Sequence, residues 1–173
     1  MATAQPARQP RVPAWLTALV STRKAARHVD LILVVVRIAL AWIFIVYGAQ
    51  QLFGAFNGPG LHRTSLDMAN AFHLRPGGFF AVLGGVTEFG GAIAVALGLG
   101  TRIAGLALFG DMVMAMIKVT WAHGLHQSSP YGYELNVALA ALAIVMAVLG
   151  AGRYSVDALA ERRLVATGQG SGS

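Results

Sequence analysis

The stretch LILVVVRIALAWIFIVYGAQQLF, residues 31–53, is almost wholly apolar, and a single arginine, Arg37, stands inside it. About 20 such residues form a helix long enough to cross the hydrocarbon core of a bilayer. A spanning segment must be helical because lipid offers its backbone no hydrogen-bond partners. Three further apolar stretches follow, the last slightly short, at residues 79–98, 103–121 and 135–150. The sequence therefore predicts an all-α integral membrane protein, folded as a four-helix bundle.

The composition of the whole chain agrees with a membrane protein. Of the 173 residues, 56% are hydrophobic and only 12% are charged, whereas a soluble domain has about 25% charged residues. The net charge of +6 could suggest nucleic acid, but the basic residues flank the apolar stretches, where membrane topology requires them. We therefore expect contact with the lipid bilayer and not with nucleic acid. The lack of cysteine in the sequence excludes disulfides and iron–sulfur ligation by the chain itself.

Composition divides the chain into three segments. Residues 1–28 are polar and basic and lack a convincing cleavage site, so we predict a retained cytoplasmic segment and not a cleaved signal peptide. Residues 29–157 hold the four spans, with a long loop at 54–78 that is rich in Gly, Pro and Asn, and a tight turn at 99–102. Residues 158–173 are predicted to form a flexible cytoplasmic tail.

The distribution of lysine and arginine predicts the orientation. With the N-terminus inside, two basic residues, Arg63 and Arg75, lie on the outer side. Nine lie on the inner side: Arg8, Arg11, Arg23, Lys24, Arg27, Arg102, Arg153, Arg162 and Arg163. This excess satisfies the positive-inside rule and places both termini in the cytoplasm.

Ionisable side chains inside the spans are the main candidate site residues. Each costs on the order of 2.5–3.5 kcal/mol near the bilayer centre, so each needs a partner. Measured from the inner edge, Arg37, Asp111 and Glu88 lie roughly 9, 12 and 15 Å deep. We therefore predict an inner polar cluster of Arg37, Glu88 and Asp111, in which the arginine pairs with the carboxylates.

A second polar group is predicted nearer the outer edge. Lys118 lies roughly 5 Å in, level with Gln51 and close to Glu134, so we expect an outer polar cluster of these three residues with a Lys118–Glu134 pair. Two interpretations of the buried charges stay open. They could fix helix register and orientation, as buried ion pairs sometimes do. Alternatively, they could line a quinone or transport site, because intramembrane ionisable residues are functional-site candidates by default.

Small or polar residues recur at helical spacing in each span, and we expect these stripes to face the bundle interior. In the first span the stripe is Arg37, Ala41, Phe44, Gly48 and Gln51; in the third it is Ala104, Ala107, Asp111, Met114 and Lys118.

The sequence offers no persuasive metal or catalytic motif. None of the five histidines lies inside a span, which argues against a haem held by two transmembrane histidines. The pair His123 and His126 lacks an acidic third ligand, so no metal is predicted. The glycine pairs at 84–85 and 90–91 lie in an apolar helix and not after a strand, unlike a phosphate loop. Catalytic residues are therefore left unassigned.

An ordered set of motifs extends over residues 34–157. They are GAQQLFG at 48–54, NGPGL at 57–61, TEFGG at 87–91, LGLGTR at 97–102, YGYE at 131–134 and GAGRYSVD at 150–157. With these motifs the chain resembles the DoxX family of small four-helix membrane proteins, and Arg37, Glu88 and Glu134 fit the family pattern. Many relatives have lysine at the position of Gln51, so this chain lacks a charge in the outer leaflet there.

The resemblance implies a bacterial plasma-membrane protein. Family members are linked to thiosulfate–quinone oxidoreduction, and one actinobacterial member looks like a membrane scaffold for a superoxide dismutase and a sulfurtransferase. Because the chain has no cysteine, haem histidine pair or nucleotide loop, we expect a non-catalytic subunit that anchors protein partners in a membrane-associated redox or oxidative-stress assembly. The alternatives are a quinone-binding subunit of an oxidoreductase, with quinone as cofactor, and a small oligomeric transporter. Glycine-rich helix faces also favour a homo-oligomer.

Overall fold

A computed structural model describes residues 25–121, 124–125 and 132–169. Within these ranges the chain forms six α-helices and no strand, so the predicted all-α class is confirmed. Most of the N-terminal segment predicted at 1–28 lies outside the described residues. The helices are α1 (Ala25–Phe53), α2 (Gly60–Asn70), α3 (Gly77–Leu97), α4 (Thr101–Ala115), α5 (Glu134–Leu149) and α6 (Val156–Gln169).

Three helical stretches of the described chain are long and apolar enough to cross a bilayer: His28–Phe53, Gly77–Leu97 and Thr101–Thr120. The last comprises α4 and a π-helical turn, Met116–Thr120. Helix α5 is also apolar but has only 16 residues, which makes it about 24 Å long against a hydrocarbon core of about 30 Å. The fourth predicted span is therefore a helix, but a short one, and the four-helix membrane bundle stays a prediction.

The apolar helices share one core. Helix α1 packs on α3, α3 on α4, and α4 on α5, which also contacts α1. The buried core residues come from all four helices: Leu33, Leu40, Ala41, Phe44, Ala92, Val95, Ala104, Leu108, Met112, Leu139, Ala143 and Met146. The polar residues that the sequence places in the spans therefore lie close to a common interior.

Glycine allows the helices to approach closely at two crossings. A Cβ at Gly48 on α1 would lie 2.6 Å from the backbone nitrogen of Phe89 on α3. A Cβ at Gly105 on α4 would lie 2.8 Å from the backbone nitrogen of Ala147 on α5. In lipid the hydrophobic effect does not drive helices together, and helix association depends on van der Waals packing instead. Small residues at helix crossings allow the backbones to come close enough for such packing.

The outward faces of the same helices are apolar. Trp42 on α1 is 68% exposed and Ile103 on α4 is 77% exposed. Large apolar side chains on an outer surface suit a protein whose solvent is the acyl chains of a bilayer. The fold thus has a packed interior and a lipid-compatible exterior.

The connection after α1 differs from the loop predicted at 54–78, because helix α2 occupies residues 60–70 of it. This helix packs on α3 and buries Thr64. The hydroxyls of Thr64 and Ser65 donate hydrogen bonds to the carbonyls of Gly60 and Leu61, at 2.9 and 2.7 Å. This helix was not predicted from the sequence because Gly and Asn have low helix propensity. In the folded protein, packing on α3 stabilises it.

The tail predicted at 158–173 is helical as far as Gln169, because α6 occupies 156–169, whereas its flexibility and its cytoplasmic location stay predictions. The Ser155 hydroxyl accepts the backbone N–H of Ala158 at 3.1 Å, which is the hydrogen bond of a serine N-cap. Asp157 places a negative charge in the first turn, where the helix dipole favours it. Residues 170–173 lie outside the described residues.

Candidate ligand-binding cavity between the helices

Two carboxyl groups lie close together near the middle of two long apolar helical stretches. Glu88 on α3 is 5% exposed, and its carboxyl lies close to that of Asp111 on α4. Each residue lies about 14–17 Å from either end of its spanning stretch, at a rise of 1.5 Å per residue. A carboxyl group donates a hydrogen bond when it is protonated and only accepts when it is ionised. The pair can therefore both donate and accept hydrogen bonds.

Gln51, near the end of α1, joins the carboxyl pair. Its amide nitrogen donates a hydrogen bond to Glu88 Oε2. Its carbonyl oxygen, Oε1, is buried and has no hydrogen-bond partner among the described residues. A Cβ at Gly84 would lie 3.6 Å from this oxygen and 3.7 Å from Asp111 Oδ1. Gly84 therefore leaves space where the three polar side chains converge.

These side chains border a cavity of about 900 Å³ lined by residues of α1 to α5. Most of its wall is apolar, with Phe80, Leu83 and Leu139 among the lining residues. The charged and amide side chains that line it are Gln51, Glu88, Asp111, Asp67, Lys118, Glu134 and Asn136. Apolar walls with a few convergent polar groups are typical of small-molecule sites, which usually measure about 300–1,000 Å³.

The π-helical turn that follows α4 shapes one end of this cavity. It brings Lys118 and Thr120 to the cavity wall. The Thr120 hydroxyl donates to Asn136 Oδ1 at 3.3 Å, and the Asn136 amide nitrogen lies 3.8 Å from the sulfur of Met112. Such turns occur frequently at functional sites. Thr120 on the π-helical turn and Asn136 on α5 thus form a second polar group in the cavity wall.

Arg37 lies apart from the carboxyl pair and binds backbone carbonyls. It is 4% exposed, and Nε donates to Val95 O at 2.9 Å and Nη2 to Ala96 O at 2.6 Å. Nη1 donates to Ala151 O at 3.0 Å and to Tyr154 O at 2.7 Å. The carbonyls of Val95 and Ala96 belong to the last turn of α3, where a cation is favoured by the helix dipole. Arg37 therefore clamps the end of α3 to the segment between α5 and α6.

The family model described as DoxX matches residues 32–121, which is more than half of the chain. The chain belongs to the DoxX family. The resemblance inferred from the motifs is thereby confirmed, and the matched range contains Arg37, Gln51, Glu88, Asp111 and Lys118. The motifs at 131–134 and 150–157 lie beyond it. No curated protein and no solved structure matches the chain.

In this DoxX protein the predicted inner cluster separates into two sites. Glu88 and Asp111 are together as predicted, but Arg37 does not pair with them. Val95, which accepts from Arg37, lies seven residues beyond Glu88, or about 10 Å along the helix. Carbonyl dipoles at the end of α3 stabilise the arginine in place of carboxylates. Similar depth along the predicted spans therefore does not establish contact between Arg37 and the carboxyl groups.

The predicted outer cluster also divides in the DoxX fold. Gln51 binds Glu88 and so belongs with the carboxyl pair. Lys118 and Glu134 both line the cavity, and their pairing stays a prediction. His123 and His126 lie outside the described residues. Within the part of the chain that the structure describes, no group of three His, Asp or Glu residues could hold a metal ion.

Sequence reasoning missed the role of Gly84 and of the π-helical turn. The sequence places Gly84 in an apolar helix, but it does not reveal that the only atoms of other helices within 4 Å of a Cβ there are Gln51 Oε1 and Asp111 Oδ1. Its spacing of four residues from Glu88 was the available signal, because residues four apart lie on the same helix face. The π-helical turn of this DoxX chain has no comparable signal in the sequence.

Proposed function

We propose that this DoxX-family membrane protein binds a small amphipathic molecule of the quinone class in the cavity between its helices. One observation carries the proposal: the Glu88–Asp111 pair and the buried Oε1 of Gln51 converge on an otherwise mostly apolar cavity of about 900 Å³. A quinone ring has carbonyl acceptors, and its reduced form has hydroxyl donors. The carboxyl pair offers a proton to the first, and Gln51 Oε1 offers an acceptor to the second.

The size and walls of the cavity support a molecule that dissolves in lipid. The lining residues Phe80, Leu83 and Leu139 would contact the ring or the first part of an isoprenoid chain. A strongly anionic ligand would lose its hydration there and would meet four carboxyl side chains against a single lysine. The link of DoxX relatives to thiosulfate–quinone oxidoreduction supports the same class of ligand.

We further propose that α1, α3, α4 and α5 cross the plasma membrane as a bundle with both termini in the cytoplasm. The shared core of these four helices and the nine-to-two distribution of basic residues support this topology. The 16 residues of α5 would need local thinning of the bilayer, which costs only fractions of a kcal/mol per Å of mismatch.

A cavity-filling substitution tests the ligand proposal. Gly84→Leu adds a side chain beside Gln51 Oε1 and Asp111 Oδ1, whereas Gly90→Leu adds the same side chain to the same helix where nothing lies within 4 Å of the new Cβ. Purified protein in mild detergent would be titrated with a short-chain benzoquinone or naphthoquinone while tryptophan fluorescence is recorded. We expect saturable quenching for the parent chain and Gly90→Leu, and at least ten-fold weaker binding for Gly84→Leu. Equal quenching in all three proteins would contradict the proposal.

The carboxyl pair allows a second comparison. Glu88→Gln keeps the size of the side chain but removes the carboxyl group that lies beside Asp111, so we expect weaker quinone binding at unchanged cavity volume. The predicted anchoring role, the transport role and homo-oligomerisation each depend on partners or flux, and they stay predictions.

A further inference from the structure

A second cleft lies at the end of the molecule where α3 ends and α6 begins. Its volume is about 630 Å³, and three arginines, Arg37, Arg153 and Arg162, line it. Among the residues that the structure describes, no carboxylate lines this cleft. A concave site with three cations and no lining anion has a positive electrostatic potential, and clefts concentrate such fields.

Arg37 forms the buried wall of the cleft. Its four hydrogen bonds go to carbonyl oxygens, and a guanidinium has five N–H groups. One N–H of Nη2 is therefore left over. The carboxylate of Asp157 acts on the Arg37 charge through space, but its two oxygens already accept the backbone N–H groups of Gly100 and Thr101, at 2.8 and 3.2 Å. The positive charge of Arg37 is thus only partly compensated.

Exposed apolar side chains lie beside the exposed arginines. Leu97 is 53% exposed, Val156 is 40% exposed and Leu159 is 58% exposed, and all three line the cleft. Arg153 and Arg162 are exposed as well. A free anion would gain nothing from the apolar residues, whereas an amphipathic anion would contact both kinds of surface. Basic pockets at the ends of membrane helices recognise lipid headgroups in this way.

We propose that this cleft binds one anionic membrane phospholipid. The phosphate contacts Arg153 and Arg162, whose planar guanidinium groups suit two-point contact with phosphate oxygens. Arg37 lies behind the phosphate and adds its charge. The first part of an acyl chain lies against Leu97 and Leu159. This inference is independent of the quinone cavity, which is bordered by Glu88 and Asp111 about 10 Å or more further along the spans.

The competing explanation is that these arginines serve membrane orientation alone. A matched control separates the two explanations, because Arg102 is an exposed arginine at the same end of the molecule that does not line the cleft. Arg102→Gln removes the same charge from the same electrostatic field as Arg153→Gln or Arg162→Gln. If the cleft binds lipid, removing an arginine that lines the cleft weakens lipid binding more than removing Arg102. If the arginines serve orientation alone, the three substitutions have equal effects.

The test is native mass spectrometry of the full chain, purified in mild detergent and titrated with phosphatidylglycerol, with phosphatidylcholine or with inorganic phosphate. We expect one phosphatidylglycerol per chain to bind more tightly than phosphatidylcholine, and inorganic phosphate at the same concentration not to displace it. Arg153→Gln and Arg162→Gln should each weaken binding about five-fold, and Arg102→Gln should leave it unchanged. All three residues are exposed, and unchanged thermal unfolding would confirm that each variant folds.

Three results would overturn the proposal. Equal binding of the two phospholipids would show that the anionic headgroup is not recognised. Equal weakening by Arg102→Gln would assign the effect to the general positive field. Displacement of the lipid by inorganic phosphate would identify a site for a free anion.

Discussion

The side-chain amide of Gln51 donates a hydrogen bond to the carboxyl of Glu88 and so ties the end of α1 to the middle of α3. The same carboxyl lies close to that of Asp111 on α4. Three helices are therefore joined by one polar group at the border of the cavity. This arrangement positions Glu88 for contact with a ligand and also contributes to the packing of the helices.

We expect Gln51→Leu to destabilise the protein by about 1–3 kcal/mol, because a hydrogen-bonded partner of a buried carboxyl is lost. Gln50→Leu is the matched control, since Gln50 precedes it on α1 and contacts Gly58 through carbons that leucine retains. Denaturant unfolding in detergent would measure both variants. A larger loss for Gln50→Leu than for Gln51→Leu would contradict the assigned role of this hydrogen bond.

Arg37→Met should be much more damaging. It leaves the carbonyls of Ala151 and Tyr154 without their donor and removes the cation at the end of α3, so we expect a loss of about 3 kcal/mol or more. Arg63→Met on α2 is the control, because Arg63 is exposed and its replacement should cost less than about 0.5 kcal/mol. Thermal unfolding of the two variants would test this difference, and similar unfolding temperatures would argue against the clamp.

Gly98→Ala tests the same junction through the backbone. Gly98 has φ of +69°, and a Cβ there would lie 2.5 Å from the Cβ of Ser155 and 2.8 Å from Nη2 of Arg37. Both strain and overlap oppose a side chain, so we expect a destabilisation of about 1–3 kcal/mol. Gly90→Ala, inside α3 with nothing within 4 Å of its new Cβ, should instead be neutral or stabilising by up to about 1 kcal/mol. The opposite order of unfolding temperatures would refute the prediction.

Asp157→Ala should loosen the start of α4. The Asp157 carboxylate accepts the N–H groups of Gly100 and Thr101, and losing such a cap costs about 0.5–2 kcal/mol. Glu161→Ala removes the same charge one turn later on α6, where Glu161 is exposed, and should cost less. Hydrogen exchange at the first turn of α4 would detect the difference, with faster exchange expected in Asp157→Ala alone. Equal exchange in both variants would rule out the cap.

The helical stripes show how far the sequence could predict the site. On α1 the predicted stripe is correct, since Arg37, Ala41, Phe44 and Gly48 are buried and Gln51 is partly buried. On α4 only Ala104 of the predicted stripe lies in the core, together with Leu108 and Met112, which the stripe does not include. The predicted stripe residues Ala107, Asp111, Met114 and Lys118 line the cavity. Periodicity identified the correct faces as polar, but it cannot distinguish a face that packs from one that borders an empty volume.

Partners were harder to predict than positions. Depth along each span correctly suggested that Glu88 and Asp111 meet, but it also suggested a contact between Arg37 and these carboxylates that does not form. The actual partners of Arg37 include Ala151 and Tyr154, which are more than 110 residues away in the chain. Every residue has a backbone carbonyl, so the pattern of side chains in a sequence does not predict which carbonyls accept hydrogen bonds from an arginine. Helices α2 and α6 were also not predicted, because α2 is stabilised by packing on α3 and α6 by the Ser155 cap.

Native mass spectrometry of the protein, gently extracted from its own membrane without added ligand, tests the central claim most directly. The claim is that Gln51, Glu88 and Asp111 border a cavity that holds one quinone-class molecule. We predict an added mass of one such molecule per chain, retained in Gly90→Leu and absent from Gly84→Leu. A bare chain in every case, or an adduct that persists unchanged in Gly84→Leu, would contradict the claim.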